Sequence, residues 1–133
     1  AIVRTKGNPH CHIVLRGGHT GPNYDASHVA HCEKQLKHAG LPTNIMIDCS
    51  HANSHKQPEN QLAVIHDIAQ QIEAGNHSIK SIMVESNLNA GNQCIPDNLD
   101  DLAYGVSVTD GCIDWESTAG ALRDLHTRLK RVR

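Results

Sequence analysis

Four side chains of this sequence have the types and positions that could carry out chemistry. Arg16, His51 and Glu85 each lie at or just beyond the end of a short apolar segment, and Asp110 lies in a long polar stretch. One imidazole and two carboxylates are ligands that suit a divalent metal such as Mn, Fe, Co or Zn. The planar fork of an arginine suits a phosphate or a carboxylate. Together they predict a metal centre beside a site for an anionic substrate.

Each of these side chains also has a plain structural interpretation. Arg16 precedes two glycines and, taken alone, is equally well a surface arginine before a turn. A lone histidine in a polar loop, such as His51, is more often a hydrogen-bonded structural residue than a ligand, and Asp110 by itself resembles a turn residue. Glu85 differs, because a carboxylate at the end of a buried strand is costly unless it is paired or metal-bound. The residues alone leave these alternatives open.

A regular alternation of strands and helices would position these side chains. Apolar segments predict strands over residues 11–15, 43–48 and 79–85, and an amphipathic stretch with a glycine stop separates each from the next. Short buried strands that alternate with helices predict an α/β fold with a parallel sheet. In such sheets ligands bind beyond the carboxyl ends of the strands, which is where three of the four candidates fall.

The predicted helices have recognisable ends. The first begins at Asp25 or Ser27 and stops at Gly40, the second runs from about Pro58 to Gly75, and the last is capped near Ser117 or Thr118. Between the third strand and the last helix lies a long irregular stretch, 86–115, rich in Asn, Gly and Asp. Loops of that length in a compact domain are usually functional.

The composition limits the classes of function. The 133 residues are enough for one domain, and the net charge of −2 gives no electrostatic basis for binding nucleic acid or an anionic membrane. The five cysteines include no CxxC pair, and their odd number indicates a reducing, cytoplasmic location. With no Phe, one Trp and two Tyr, the core must rest on Ile, Leu, Val and Ala.

Four segments carry a resemblance to a known family. They are IVLRGG with PNY after it, MIDCSHANSHKQ, IMVESNLNAGNQ and LAYGVSVTDGCIDWE. In this order and with this spacing they resemble the C-terminal part of class I 3-deoxy-D-arabino-heptulosonate 7-phosphate (DAHP) synthases. Nearly the whole chain is covered, and SHANS and GNQ are distinctive of that family.

The resemblance implies an activity and a role for each candidate. Enzymes of this family are (β/α)8 barrels that use a divalent metal to condense phosphoenolpyruvate with erythrose 4-phosphate, the first step of the shikimate pathway. Arg16, in LRGG, would bind the phosphate of phosphoenolpyruvate. His51, in SHANS, would be catalytic and a metal ligand, and Glu85 and Asp110 would be the other ligands in this chain. Val3 lies in an opening segment that resembles the arm lining the amino-acid effector pocket.

The chain also departs from the family pattern. A complete barrel needs roughly 250 residues, so residues 1–133 are expected to form a single partial domain, the last three βα units of the barrel. The family's fourth metal ligand, a cysteine in a Cys-Pro-Arg motif, is absent. We therefore expect the chain alone to be inactive and to form a homo-oligomer or a complex with the missing N-terminal part.

Two rival interpretations of the sequence remain open. The first is another metal-dependent barrel lyase or aldolase with the same ligand set. The second is a non-catalytic truncated fragment that binds metal or self-associates.

Overall fold

Three short parallel strands form the centre of the structure, a computed structural model that describes residues 1–132. They are β1 (Ile13–Leu15), β2 (Ile45–Asp48) and β3 (Ile79–Met83), in the spatial order β1-β2-β3. Helix α1 (Ala26–His38) connects the first two strands and α2 (Gln61–Glu73) connects the second and third, while α3 (Trp115–Leu129) follows the long loop. The predicted α/β fold with a parallel sheet is confirmed, and each strand lies inside its predicted segment.

The register of the strands aligns their carboxyl ends. Leu15 pairs with Ile47 across β1 and β2, and Asp48 pairs with Met83 across β2 and β3. The segment that follows β2 therefore lies beside the segment that follows β3. Because parallel strands end at a common edge, the residues after them share one face of the molecule.

The core consists of aliphatic side chains, as the scarcity of aromatic residues predicts. It forms where α1 and α2 pack on the sheet, and the burial of a large aliphatic side chain contributes about 1.5–3 kcal/mol. Its buried members are Val29, Leu36, Ile45, Ile47, Cys49, Val64, Ile65, Ile68 and Ile79.

The helix starts are partly as predicted. Asp25 is the N-cap of α1, and its carboxylate accepts hydrogen bonds from the backbone N–H groups of Ser27 and His28. Pro58 begins a 3₁₀ turn, Pro58–Asn60, and the α-helix starts only at Gln61. The predicted cap of the last helix near Ser117 or Thr118 is wrong. Asp114 is the N-cap of α3, and its side chain accepts the Ser117 N–H at 2.7 Å.

Both outer strands are open edges among residues 1–132, since the sheet contains β1, β2 and β3 only. On β1, Ile13 is 41% exposed and Val14 is 46% exposed. Within this described part of the chain, none of the helices is long and apolar enough to span a bilayer. The partial sheet thus presents apolar surface that is not covered by its own helices.

Candidate metal centre

His51, Glu85 and Asp110 come together at the carboxyl edge of the sheet. Each offers one ligand atom, and these three atoms all lie within 4.8 Å of one another. His51 Nε2 is 3.8 Å from Glu85 Oε1 and 4.0 Å from Asp110 Oδ2. A metal ion bonds nitrogen and oxygen ligands at about 2.0–2.2 Å, so two ligands of one ion lie at most about 4.4 Å apart. Both separations from His51 Nε2 fall within that limit.

His51 reaches this position from a tight turn after β2. It begins the 3₁₀ turn His51–Ser54 and has a left-handed backbone conformation, with φ of 50°. Its Nδ1 is 2.7 Å from Asp48 Oδ2, and the other oxygen of Asp48 accepts the Ser50 N–H at 2.9 Å. The Asp48 side chain is only 4% exposed. The end of β2 therefore supplies both the imidazole and the carboxylate that orients it.

Glu85 is held through its backbone as well as its side chain. The buried Gln61, the first residue of α2, accepts the Glu85 N–H at 2.8 Å and donates its amide to the Glu85 carbonyl at 3.0 Å. The Ser50 hydroxyl donates to Glu85 Oε2. Oε2 of Glu85 thus accepts a hydrogen bond from a hydroxyl, while Oε1 faces His51.

Asp110 is carried by the long loop, which is far more ordered than an irregular stretch. Cys112 exchanges two backbone hydrogen bonds with Gly91, of 2.9 and 3.1 Å, and Ile113 donates its N–H to the Glu85 carbonyl at 3.0 Å. Gly111 packs against Pro58 so closely that an added Cβ would lie 2.7 Å from Pro58 Cγ. These contacts fix the backbone directly after Asp110, whose own side chain is exposed.

The cavity between the three side chains suits a cation. Its volume is about 40 Å³, which is enough for an ion or water, and Ser50, Lys56, Pro58 and Gly111 complete its wall. Counting Asp48 behind the imidazole, three carboxylates surround one histidine, and Lys56 is the cation that lines the cavity. Oxygen and nitrogen donors with excess negative charge favour a divalent metal.

Cys49, two residues before His51, does not contribute a ligand atom to this cluster. Cys49 is fully buried in the core, and burial, reinforced by the charge of Asp48, raises the pKa of its thiol to about 12. It is therefore a neutral thiol near pH 7. All five cysteines are free.

Arg16 shares the edge of the sheet but not the cavity. It follows β1 directly and is exposed, and its guanidinium forms none of the ion pairs found among residues 1–132. It is not part of the cavity wall. Val3 lies in the N-terminal segment without helix or strand and is 80% exposed.

A buried asparagine joins the ends of β1 and β2. The Asn53 amide donates to the carbonyls of Leu15 at 3.0 Å and Asp48 at 2.8 Å. Its oxygen accepts the Asn23 N–H at 2.8 Å, and the Asn23 side chain in turn accepts the Gly17 N–H at 2.7 Å. The backbone around Arg16 is therefore tied to the turn that carries the imidazole.

The three converging side chains are those that the sequence pattern predicts, whereas the residues that hold them in place were not predicted. Their types offered little signal, because buried amides and hydroxyls look like ordinary loop residues until their partners are known. These supporting residues are Asp48, Ser50, Asn53 and Gln61.

Comparison with known proteins gives a consistent result. The model of the DAHP synthetase I family matches residues 1–123. The chain is 48% identical over 129 residues to the Tyr-sensitive phospho-2-dehydro-3-deoxyheptonate aldolase of Salmonella typhimurium, covering 97% of this chain and 36% of that protein. It is 51% identical over 133 residues to the Phe-sensitive aldolase of Escherichia coli, covering 100% of this chain and 37% of that protein.

A solved structure agrees with the sequence comparison. The phospho-2-dehydro-3-deoxyheptonate aldolase of Francisella tularensis superposes with a TM-score of 0.93 and 46% identity, covering 100% of this chain and 38% of that chain. The chain therefore spans little more than a third of the length of these relatives.

Proposed function

Because the chain belongs to the DAHP synthetase I family, we propose that it forms the part of a DAHP synthase that contributes three ligands to the catalytic metal. The complete enzyme would condense phosphoenolpyruvate with erythrose 4-phosphate to give DAHP and phosphate. The aldolase names of the relatives support this activity. Membership of the family argues against the first rival, another metal-dependent barrel lyase or aldolase with the same ligand set.

The convergence of His51, Glu85 and Asp110 is the observation that carries the proposal. The three residues come from segments far apart in the chain, yet their ligand atoms surround one small cavity. Mn, Fe, Co or Zn would fit this set of nitrogen and oxygen donors. When bound, such a metal supplies a Lewis acid that polarises the aldehyde oxygen of the substrate.

Residues of this chain would bind that metal and orient the substrate beside it. His51, Glu85 and Asp110 would hold it, and Arg16 would bind the phosphate of phosphoenolpyruvate through its guanidinium fork. Its place at the same edge of the sheet, tied to the histidine turn through Asn53, supports this role. A substrate held in this way gains from proximity and orientation.

The finer architecture is also a proposal. We infer that the three strands are the last three of a (β/α)8 barrel and that the exposed edge of β1 continues into the rest of that barrel, which would supply the fourth metal ligand as a cysteine. Val3 would line the amino-acid effector pocket, and the names of the Tyr-sensitive and Phe-sensitive relatives support the presence of such a pocket in the complete enzyme. The chain alone would be inactive.

A chimaera tests this assignment. The chain would replace the matching segment of the Phe-sensitive Escherichia coli aldolase, to which it is 51% identical, and DAHP formation would be measured. We expect an active chimaera in which His51→Ala abolishes metal-dependent turnover. His55→Ala, at an exposed position of the same segment, is the matched control and should retain activity. Full activity of the His51→Ala chimaera would remove His51 from the metal site.

The same chimaera separates the second rival from the proposal. A non-catalytic fragment would give a folded chimaera that binds Mn²⁺ but forms no DAHP. Arg16→Ala should mainly raise the KM for phosphoenolpyruvate, since the guanidinium is proposed to bind its phosphate. An unchanged KM would refute that role.

A further inference from the structure

Asp48 is a buried carboxylate to which neither the family resemblance nor the metal-binding assignment gives a role. We propose that Asp48 is a positioning residue that fixes the tautomer and ring orientation of His51, so that Nε2 presents its lone pair to the metal position. This rests on the proposed function, because the metal position is the one between His51, Glu85 and Asp110.

The contact between the two side chains determines the tautomer. Asp48 Oδ2 lies 2.7 Å from His51 Nδ1, and an ionised carboxylate can only accept a hydrogen bond. Nδ1 therefore carries the proton, and in the neutral ring Nε2 is left with a free lone pair. Nε2 is the nitrogen that lies 3.8 Å from Glu85 and 4.0 Å from Asp110.

The surroundings of Asp48 make this a fixed arrangement. The Asp48 side chain is 4% exposed, and its other oxygen accepts the Ser50 N–H at 2.9 Å, so both oxygens are committed. The Lys56 N–H donates to the His51 carbonyl at 2.8 Å, which closes the turn from the other side. Metal-binding histidines commonly donate their second ring N–H to a carboxylate in this way, and removal of such a partner costs about 10–100-fold in metal affinity.

The chain contains its own matched control. Asp25 and His28 have the same spacing and a comparable contact, with His28 Nδ1 2.5 Å from Asp25 Oδ2. That pair is exposed, with side-chain exposures of 46% for Asp25 and 53% for His28, and belongs to the start of α1. Asparagine is also a favoured N-cap, so Asp25→Asn should leave α1 intact.

The first readout is the tautomer in the metal-free chain. Nitrogen-15 NMR of the imidazole rings, after EDTA treatment and at about pH 9 where an ordinary histidine is neutral, reports which nitrogen carries the proton. We expect the Nδ1–H form for His51 in the unaltered chain. In Asp48→Asn the amide can donate to Nδ1, which favours the Nε2–H form, as for the same exchange in a serine protease triad.

The second readout is Mn²⁺ affinity, measured by calorimetry on the chain and its variants. Asp48→Asn should weaken binding by about 10–100-fold, while Asp25→Asn should leave it unchanged. An Nε2–H tautomer in the unaltered chain would overturn the proposal, and this result does not depend on whether the variant folds.

Two further outcomes separate the positioning role from the metal site itself. If Asp48→Asn binds Mn²⁺ as well as the unaltered chain while His51→Ala does not, the positioning role fails and the metal centre stands. If the unaltered chain and His51→Ala bind Mn²⁺ equally, the metal centre fails and the role of Asp48 in metal binding fails with it.

Discussion

At the scale of single residues, Gln61 is the side chain that fixes the backbone of Glu85. Its amide is fully buried and forms hydrogen bonds with both the N–H and the carbonyl of Glu85. The carbonyl has a second donor in Ile113, whereas the N–H depends on Gln61. The position of one proposed metal ligand therefore rests on an amide from the neighbouring helix.

Replacement of Gln61 tests this dependence. Gln61→Met keeps an unbranched side chain of similar length but leaves the Glu85 N–H without its acceptor. Because a buried unsatisfied donor costs about 1–3 kcal/mol, we expect the free energy of unfolding to fall by that amount in urea titrations. Gln57→Met, at an exposed position four residues earlier, is the control and should change little. Equal effects of the two substitutions would show that the buried amide has no special role.

Two of the supporting residues, Gln61 and Asn53, could not be predicted because they make long-range contacts. Arg16, His51 and Glu85 were identifiable because each follows an apolar segment, a property of the local sequence. Gln61 bonds to Glu85, 24 residues away, and Asn53 bonds to Leu15, 38 residues away, so these hydrogen bonds exist only once the strands are aligned. Local patterns carry no information about such pairs.

At the scale of elements, the turn after β1 must pack against the turn that carries His51. Gly17 has a φ of 73°, and a Cβ there would lie 2.6 Å from the Ala52 Cβ and 3.0 Å from the Asn53 backbone nitrogen. The crowding around a Cβ at this position cannot be relieved by rotation of a flexible side chain, because the neighbouring atoms belong to the 3₁₀ turn itself.

Two glycine substitutions separate strain from crowding. Gly40→Ala, at φ of 68° with open space around it, should cost only the left-handed strain of about 1–2 kcal/mol. Gly17→Ala should cost about 1–3 kcal/mol more, the usual cost of overpacking, and should weaken Mn²⁺ binding by displacing the residue next to His51. Thermal and urea unfolding measure the loss of stability, and calorimetry measures the change in Mn²⁺ affinity. Equal stabilities of the Gly17→Ala and Gly40→Ala chains would refute the close contact between Gly17 and the 3₁₀ turn.

The start of α3 shows why element boundaries were harder to predict than elements. Three capping residue types occur within five positions, at Asp114, Ser117 and Thr118. The choice is made by tertiary pairing, because Ile113 donates to the Glu85 carbonyl and holds the chain extended up to Asp114, whose ψ is 170°. The helix then begins at the first residue free of that pairing.

At the scale of the whole molecule, the open edge of the sheet is where we expect chains to associate. Ile13 and Val14 on β1 are 41% and 46% exposed, and an unpaired edge strand with apolar side chains pairs readily with other chains. We expect the 133-residue chain to sediment above its monomer mass of 14.5 kDa in analytical ultracentrifugation.

A charge on the edge strand should reverse this association. Val14→Lys should shift the chain toward the monomer, because a lysine on an edge opposes strand pairing. Leu99→Lys, at a position 65% exposed in the long loop, is the control and should leave the oligomer unchanged. A chain that sediments as a monomer at every concentration would contradict the expectation.

Anomalous diffraction can locate the divalent metal that we propose between His51, Glu85 and Asp110. Crystals of the chain grown with Mn²⁺ would be measured near the manganese absorption edge. The predicted result is a single strong anomalous peak about 2.0–2.2 Å from His51 Nε2 and from one carboxylate oxygen of each acid, with the Asp48–His51 contact retained. A peak elsewhere, or none at this position in crystals saturated with Mn²⁺, would contradict the placement of a metal between these three side chains.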